Sequence, residues 1–173
     1  MVKPPAKPPT HQFFTVDDIV YFSLKGRAHG VNAMVSHDKW PTVSKYNWYL
    51  GKSGYPLCYE LSKMPLHQFI YWHILGEKPT NFYIDHIDRN KLNNTNSNLR
   101  PSTPQENSFN RSPALKSNYK GVKKVADNNY TASITKDGKR HEIKGIQNKV
   151  QAAHIYNLMA EELHGEFAAK NEI

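Results

Sequence analysis

The segment at 82–107, FYIDHIDRNKLNNTNSNLRPSTPQEN, constrains the fold more than any other part of the sequence. Its first residues predict a short β-strand in which Asp85 and His86 are adjacent polar positions. Adjacent strand residues point to opposite faces, so the two cannot share one role unless the strand ends or bends there. Five asparagines follow before Leu99, and asparagine can order a loop by bonding its own backbone. The segment therefore predicts a strand, an ordered loop and an extended return.

The same segment closes with the start of a helix. Thr103 as N-cap, Pro104 at the first helical position and Glu106 three residues after the cap predict a capping box. Asn107 is then one turn into a short helix, where its side chain can face back toward the strand. Such a unit can bring an aspartate, a histidine and an asparagine to one point.

This pattern resembles the HNH endonucleases, specifically the phage-type and intron-encoded homing branch that has asparagine in place of the final histidine. The resemblance rests on DHID, NKLNN, NLR and QEN in this order, with Asp85 and Asn107 22 positions apart and His86 and Asn98 12 apart. It implies a ββα-metal (His-Me finger) unit at about 80–111. In that unit Asp85 and Asn107 are metal ligands, His86 is the general base, and Asn98 holds the loop so that the imidazole is correctly aimed.

The chemistry of phosphodiester hydrolysis needs these residue types. A neutral imidazole is the side chain best able to accept the proton of an attacking water near pH 7, and His86 fits. The departing oxygen needs charge neutralisation, which a hard divalent ion on a few oxygen ligands supplies. Asp85 and Asn107 bring one negative charge, so the ion would stay electropositive toward DNA. Two protein ligands with waters favour one Mg²⁺ or Mn²⁺ per site over zinc, which prefers His or Cys.

Two arginines and one histidine near the motif have open roles. Arg100 and Arg111 suit phosphate clamping, although a single arginine after a motif is as often a surface residue or a salt-bridge partner. His67 occurs in LHQF, where related nucleases commonly have His followed by Arg, so Gln68 is a departure from the pattern.

Residues 65–75 predict a short amphipathic helix that opens with Pro65 and ends at Gly76. The spacing places His73 on its apolar face, where a core histidine is the favoured interpretation. His67 is expected on the opposite side of this helix, and its role is left open.

The N-terminal part predicts a small antiparallel β module at 13–59, because apolar runs such as IVYFSL and NAMVS alternate with turn residues. Its aromatic residues, among them Trp40 and Trp48, favour a compact core, although aromatics beside basic residues can also contact nucleic acid. Before it, KPPAKPP at 3–9 favours extended polyproline, so residues 1–12 predict a disordered basic tail. The HNH domain as a whole is expected at 13–112.

After a linker at 113–118, residues 119–173 predict a three-stranded antiparallel sheet packed on one helix. Turn signals at Asp127-Asn128-Asn129 and Asp137-Gly138 separate the strands. The segment NKVQAAHIYNLMAEELHG supplies an apolar helical stripe that can cover the sheet, with a cap at Asn148 and an end at Gly165.

This C-terminal module is similar to the plant ethylene-response-factor (Apetala-type) DNA-binding domain, which is also found attached to HNH homing endonucleases. YKGV at 119–122, AAHIYN at 152–157 and GEFAAKN at 165–171 carry the match, together with the Tyr130-Thr131-Ala132 strand. It implies a sheet that lies in the DNA major groove. The tryptophans usual in the plant domain are absent from 119–173. Base preference therefore does not transfer. The expected DNA-binding residues of the module are Lys120, Lys123, Lys124, Lys136, Lys139, Arg140 and Lys144.

Composition favours a polyanionic partner and an intracellular protein. Lys and Arg number 23 against 15 Asp and Glu, a formal charge of +8, and residues 111–149 hold ten of the basic residues against three acids. Cys58 is the only cysteine, which excludes an intrachain disulfide and a Cys-x-x-Cys zinc site. The sequence also has no signal-peptide pattern and no membrane-spanning run.

Together these features predict a metal-dependent endonuclease that binds duplex DNA and needs no small-molecule cofactor. By resemblance it is a site-preferring homing-type nuclease or nickase of a mobile or viral element, expected in the cytoplasm or nucleoid of the host cell, or in the nucleus of a eukaryotic host. The alternatives are a non-catalytic DNA-binding regulator or packaging protein that retains the HNH fold, and an RNA-binding protein. One catalytic unit per chain would cut one strand per binding event.

Overall fold

The computed structural model describes residues 10–28, 30–76, 81–111 and 119–173, except for the side chains of Ile74 and Leu75. Contacts within the chain divide it into two units, Met1–Ser102 and Thr103–Ile173. Both mix sheets with helices, so the predicted α+β class is confirmed. Residues 1–9 of the predicted tail, the predicted boundary at 112/113 and the linker at 113–118 lie outside the described residues. No helix within the described ranges is long and apolar enough to cross a membrane.

In the described part of the first unit, short strands form three small sheets. In chain order its described elements are β1 (Phe13–Val16), β2 (Ile19–Ser23), β3 (Asn32–Ser36), α1 (Trp40–Val43), β4 (Tyr49–Leu50), β5 (Pro56–Cys58), β6 (Met64–Pro65), α2 (Leu66–Leu75), β7 (Tyr83–His86), β8 (Asn93–Asn94) and β9 (Leu99–Ser102). The sheets have the orders β1-β2-β3-β8, β4-β5-β6 and β7-β9. All pairs are antiparallel except β3 with β8, where Val35 lies opposite Asn94. This parallel pair brings the asparagine-rich loop onto the N-terminal sheet.

A buried apolar cluster fills the first unit. Alternate residues of β2 and β3 enter it, as the two-residue period of a strand requires: Val20, Phe22, Ala33 and Val35. Trp48 is fully buried there, and Trp40 and Tyr46 pack partly buried against the cluster. The core interpretation of these aromatics is therefore correct.

His73 of α2 is not the core histidine that the spacing favours, and His67 is buried instead. Pro65 occupies the N-cap position and Gly76, at φ 71°, ends the helix as expected. His67 is buried, with 6% of its surface exposed, whereas His73 is exposed and touches the Phe69 ring edge-on at 4.5 Å between centroids. The prediction for His73 was wrong because the last turn of α2 is exposed, at Trp72 as well as at His73, whereas residues 66–71 are buried except for Gln68. The strands β5, β6, β7 and β8 all pack against α2.

The second unit holds the last helix of the motif and the C-terminal module. Its described elements are α3 (Pro104–Phe109), β10 (Val122–Ala126), β11 (Asn129–Lys136), β12 (Lys139–Ile146) and α4 (Lys149–His164). The sheet has the order β10-β11-β12, and α4 covers one face with Ala152, Tyr156 and Ala160 against Ala132, Ile134 and Ile146. The capping box between Thr103 and Glu106 is present, and the Asn148 side chain caps α4. Asp137 and Gly138 both have positive φ, as the predicted hairpin turn needs.

Within this unit α3 is packed on the C-terminal module. The Phe109 ring stacks on the His164 ring with centroids 3.5 Å apart and planes 6° apart. The Lys120 ammonium donates to the carbonyl oxygens of Phe109 and Arg111. The Asn107-bearing helix is thus held by residues of the module that follows it.

Candidate active site

The ribbon of β7 and β9 positions Asp85 and His86 next to each other and aims them in different directions. Asp85 lies opposite Arg100 and His86 opposite Leu99, and 6% and 4% of their surfaces are exposed. Alternation along the strand sends the two side chains to opposite faces. They therefore meet different partners and have different chemistry.

Asp85 is paired with a buried arginine. Arg100 donates from Nη2 and Nε to the Asp85 Oδ2 atom at 2.9 and 3.0 Å, and it is itself only 9% exposed. The cross-strand register brings the two together. The guanidinium balances the buried carboxylate charge, without which burial would be costly. Phosphate clamping by Arg100 and by Arg111, which is exposed in the second unit, stays a prediction.

The His86 ring is oriented by Asn94. His86 Nε2 lies 3.2 Å from Asn94 Oδ1, and Asn94 Nδ2 donates to the Lys91 carbonyl at 3.2 Å. Because a carbonyl only accepts, the amide nitrogen must face Lys91 and the amide oxygen must face His86. The imidazole therefore carries its proton on Nε2, and Nδ1 is the basic nitrogen. Burial lowers the pKa of His86 below its usual 6.5, so the ring is uncharged at neutral pH.

Asn98 fixes the loop between the two strands. Its Oδ1 accepts from the Asp88 backbone N–H at 2.9 Å, and its Nδ2 donates to Asp88 Oδ1 at 2.8 Å and to the Asn93 carbonyl at 2.7 Å. Asn93 Nδ2 in turn donates to Asp88 Oδ2 at 2.7 Å. Asp88, the second aspartate of DHID, thus organises the loop, a role that the sequence analysis missed.

Three further side chains surround His86, and none was assigned to the site from sequence, although His67 was left open. The His67 ring lies edge-on to His86 with centroids 5.0 Å apart, and the Tyr55 ring contacts both at 4.9 and 5.8 Å. Lys91 holds its ammonium 4.6 Å above the Tyr55 ring centre and donates to the Ser53 carbonyl at 2.8 Å. Burial, and secondarily the neighbouring His86, lowers the pKa of His67 to about 3. The site thus combines two neutral histidines with an exposed cation.

The predicted metal ligands lie in different units, Asp85 on β7 and Asn107 on α3. Among the described residues no group of three or more His, Cys, Asp or Glu side chains could hold a metal ion. The described ranges therefore contain no site in which such side chains alone would coordinate a metal ion. One carboxylate and one amide oxygen, completed by waters and phosphate, is a donor set of the kind that a hard divalent ion accepts.

Comparison with known proteins identifies the family. A family model described as HNH endonuclease matches residues 65–109. A protein of Acanthamoeba polyphaga mimivirus, named as an uncharacterized HNH endonuclease, is 63% identical over 165 residues, which cover 95% of this chain and 87% of that protein. The chain belongs to the HNH endonuclease family. The chain is also 38% identical to Protein 3.8 of Escherichia phage T7 over 97 residues, 54% of the chain and 78% of that protein. No solved structure matches it.

The basic residues of the C-terminal sheet divide between its two faces. Pairing and alternation place Lys123, Arg140 and Lys144 on the face away from α4. Glu142 lies between the last two and binds both, at 3.2 Å from Arg140 Nε and 2.7 Å from Lys144 Nζ. The other basic residues point elsewhere: Lys124, Lys136 and Lys139 have the opposite alternation, and Lys120 turns to the carbonyls after α3. The similarity of 119–173 to the ethylene-response-factor domain stays a prediction.

Replacing Asn94 by leucine is expected to slow single-turnover DNA cleavage by about 100-fold, because the His86 ring loses the acceptor that fixes its tautomer. Asn94→Asp keeps an acceptor at the same position and should retain more activity than the leucine variant. Thermal melts of both proteins check that each is folded. Equal cleavage rates for the two variants would show that Asn94 does not orient His86.

Proposed function

We propose that the protein hydrolyses phosphodiester bonds of duplex DNA with the help of a divalent ion, and that His86 is the general base. The observation that carries this proposal is the contact between His86 Nε2 and Asn94 Oδ1. It leaves an uncharged imidazole with Nδ1 as its proton acceptor, beside a buried carboxylate on the same strand. General base catalysis by His86 requires this protonation state. The proton of the attacking water would pass to Nδ1.

Asp85 and Asn107 are the residues that would hold the divalent ion, as the family pattern implies. Asp85 can do so while Arg100 donates to its Oδ2 atom, since a carboxylate has two oxygens and several lone pairs between them. When bound, the ion neutralises charge on the departing oxygen and on the scissile phosphate. The oxygen donors favour Mg²⁺ or Mn²⁺.

Duplex DNA is the proposed substrate, and the C-terminal sheet is the proposed binding module. The formal charge of +8 favours a polyanion, and the sheet offers Lys123, Arg140 and Lys144 on the face that α4 leaves open. The likeness to the ethylene-response-factor domain supports placing this face in the major groove. Site preference, nicking of one strand per binding event and a role in a viral or mobile element are proposed from the homing-type resemblance and the viral relatives.

Metal removal tests this proposal. Supercoiled plasmid incubated with the full chain and millimolar Mg²⁺ or Mn²⁺ is expected to convert first to nicked circles, and EDTA should stop the conversion completely. Excess duplex DNA should compete for the protein better than double-stranded RNA, whose deep, narrow groove does not admit a sheet. Duplex binding without strand cutting in either ion would instead identify a non-catalytic DNA-binding protein.

A further inference from the structure

His67 is a buried polar residue that has no role yet in the proposed site, where His86 is the general base and Asp85 and Asn107 are the metal ligands. It lies on α2, outside the loop that orients His86, and only 6% of its surface is exposed. Its neighbours along the helix include Leu66, Phe69 and Ile70, which belong to the apolar core. Its Nδ1 atom is closed off from solvent and has no hydrogen-bond partner in the described part of the chain.

An unpaired ring nitrogen at this depth costs free energy that an apolar side chain would avoid. A buried polar group without a hydrogen bond carries its full desolvation penalty, and each such group in a protein needs an explanation. A buried N–H without a partner is rarer in proteins than an unsatisfied acceptor. Nδ1 therefore keeps its lone pair, and the ring proton belongs on Nε2. The imidazole of His67 is then a hydrogen-bond donor through Nε2.

The reacting phosphate would pass within reach of this donor. The His67 and His86 ring centroids are 5.0 Å apart, with planes at 69°. A water bound to the basic nitrogen of His86 and the phosphoryl group that it attacks would lie beside the His86 ring, which the His67 ring contacts. Hydrogen bonds of about 3 Å from each imidazole would then reach one phosphate group. Lys91, an exposed cation above the Tyr55 ring that both histidines touch, makes the surroundings attractive to a phosphate.

We propose that His67 is a catalytic residue, which donates its Nε2–H to a non-bridging oxygen of the scissile DNA phosphate. As the water oxygen bonds to phosphorus, His86 takes the water proton and the bond from phosphorus to the departing sugar oxygen breaks. The electron pair of that bond stays on the sugar oxygen, which takes a proton from solvent. His67 keeps its own proton throughout. It stabilises the negative charge that grows on the phosphoryl oxygen, as a fixed donor does in an oxyanion hole. The proposal rests on the nuclease function proposed above.

Two substitutions separate a donor from a packing residue. His67→Gln carries an amide N–H at about the distance of Nε2 but has no ring, whereas His67→Phe keeps the ring and has no donor. We expect His67→Gln to retain single-turnover plasmid cleavage within about 10-fold of wild type, and His67→Phe to lose about 100-fold or more. If the ring only packs against His86, the order of the two variants reverses, and that result overturns the proposal.

Controls make each outcome decisive. Exposed His73 on the same helix is the matched site, and its Gln and Phe variants should cut at the wild-type rate. Duplex affinity measured in EDTA should stay within about threefold in all variants, since one hydrogen bond specific to the transition state adds little to ground-state binding. If His67→Phe does not fold in a thermal melt, His67→Gln decides: a rate as low as that of His86→Ala overturns the proposal. Wild type and His86→Ala are run beside them, and a wild type that fails to cut counts against the nuclease function itself.

Discussion

Replacing His86 by alanine is expected to lower the rate of DNA cleavage by about 10³-fold or more, within the range that a general base supplies to a reaction. The reason is local. His86 is 4% exposed, its tautomer is set by Asn94, and burial lowers its pKa, so the ring is built to accept a proton at neutral pH. Single-turnover cleavage of supercoiled plasmid at saturating Mg²⁺ measures the effect.

The same variant should bind duplex DNA as well as wild type, because His86 contributes no charge at neutral pH. Exposed His37, in the same unit, provides the matched control, and His37→Ala should cut normally. Cleavage that is unaffected by His86→Ala would remove this residue from the mechanism and, with it, the assignment of the active site.

Replacing Gly121 by alanine is expected to destabilise the C-terminal module by about 4 kcal/mol, from about 1 kcal/mol of left-handed backbone strain and about 3 kcal/mol of overpacking. Gly121 has φ +70°, and an added Cβ would lie 2.0 and 2.2 Å from two ring carbons of Tyr156 and 2.6 Å from the Ser133 carbonyl oxygen. Neither neighbour can withdraw. Tyr156 is 2% exposed, and the Ser133 N–H is bonded to the Gly121 carbonyl at 2.8 Å.

Urea unfolding followed by circular dichroism measures this loss, and duplex affinity should fall with it if the module binds DNA. Gly138 is the matched control, since it has φ +73° but no atom within 4 Å of an added Cβ. Gly138→Ala should cost only about 1 kcal/mol, the strain part of the effect. If both variants unfold at the same urea concentration, the close contact of Gly121 with Tyr156 is not present in solution.

Features set by neighbours along the chain were predictable from the sequence. The capping box at Thr103, the cap at Asn148 and the turn at Asp137-Gly138 each depend on a few adjacent residues, and all three are present. The helix over the C-terminal sheet was predictable as well, because Ala152, Tyr156 and their periodic partners form one apolar stripe.

Features set by distant partners were not predictable in this way. Asn94 is one of five similar asparagines, and its hydrogen bond with His86 is seen only in the folded structure, where β8 pairs with β3. The burial of His67 depends on the strands that pack against α2, and the periodicity of apolar residues along the helix does not reveal all of them. Arg100 could be matched to Asp85 only after the register of β7 with β9 was known.

The stack of Phe109 on His164 bears on how such nucleases can be recombined. An engineer who replaced the C-terminal module at the linker, to redirect the enzyme to another target, would leave α3 without the ring that Phe109 covers. The Lys120 bonds to the end of α3 would be lost in the same exchange. A transplanted module must therefore bring a histidine or another flat ring to the position of His164, together with a long cation at the position of Lys120. Grafts that ignore this pair should yield chimeras in which α3 frays.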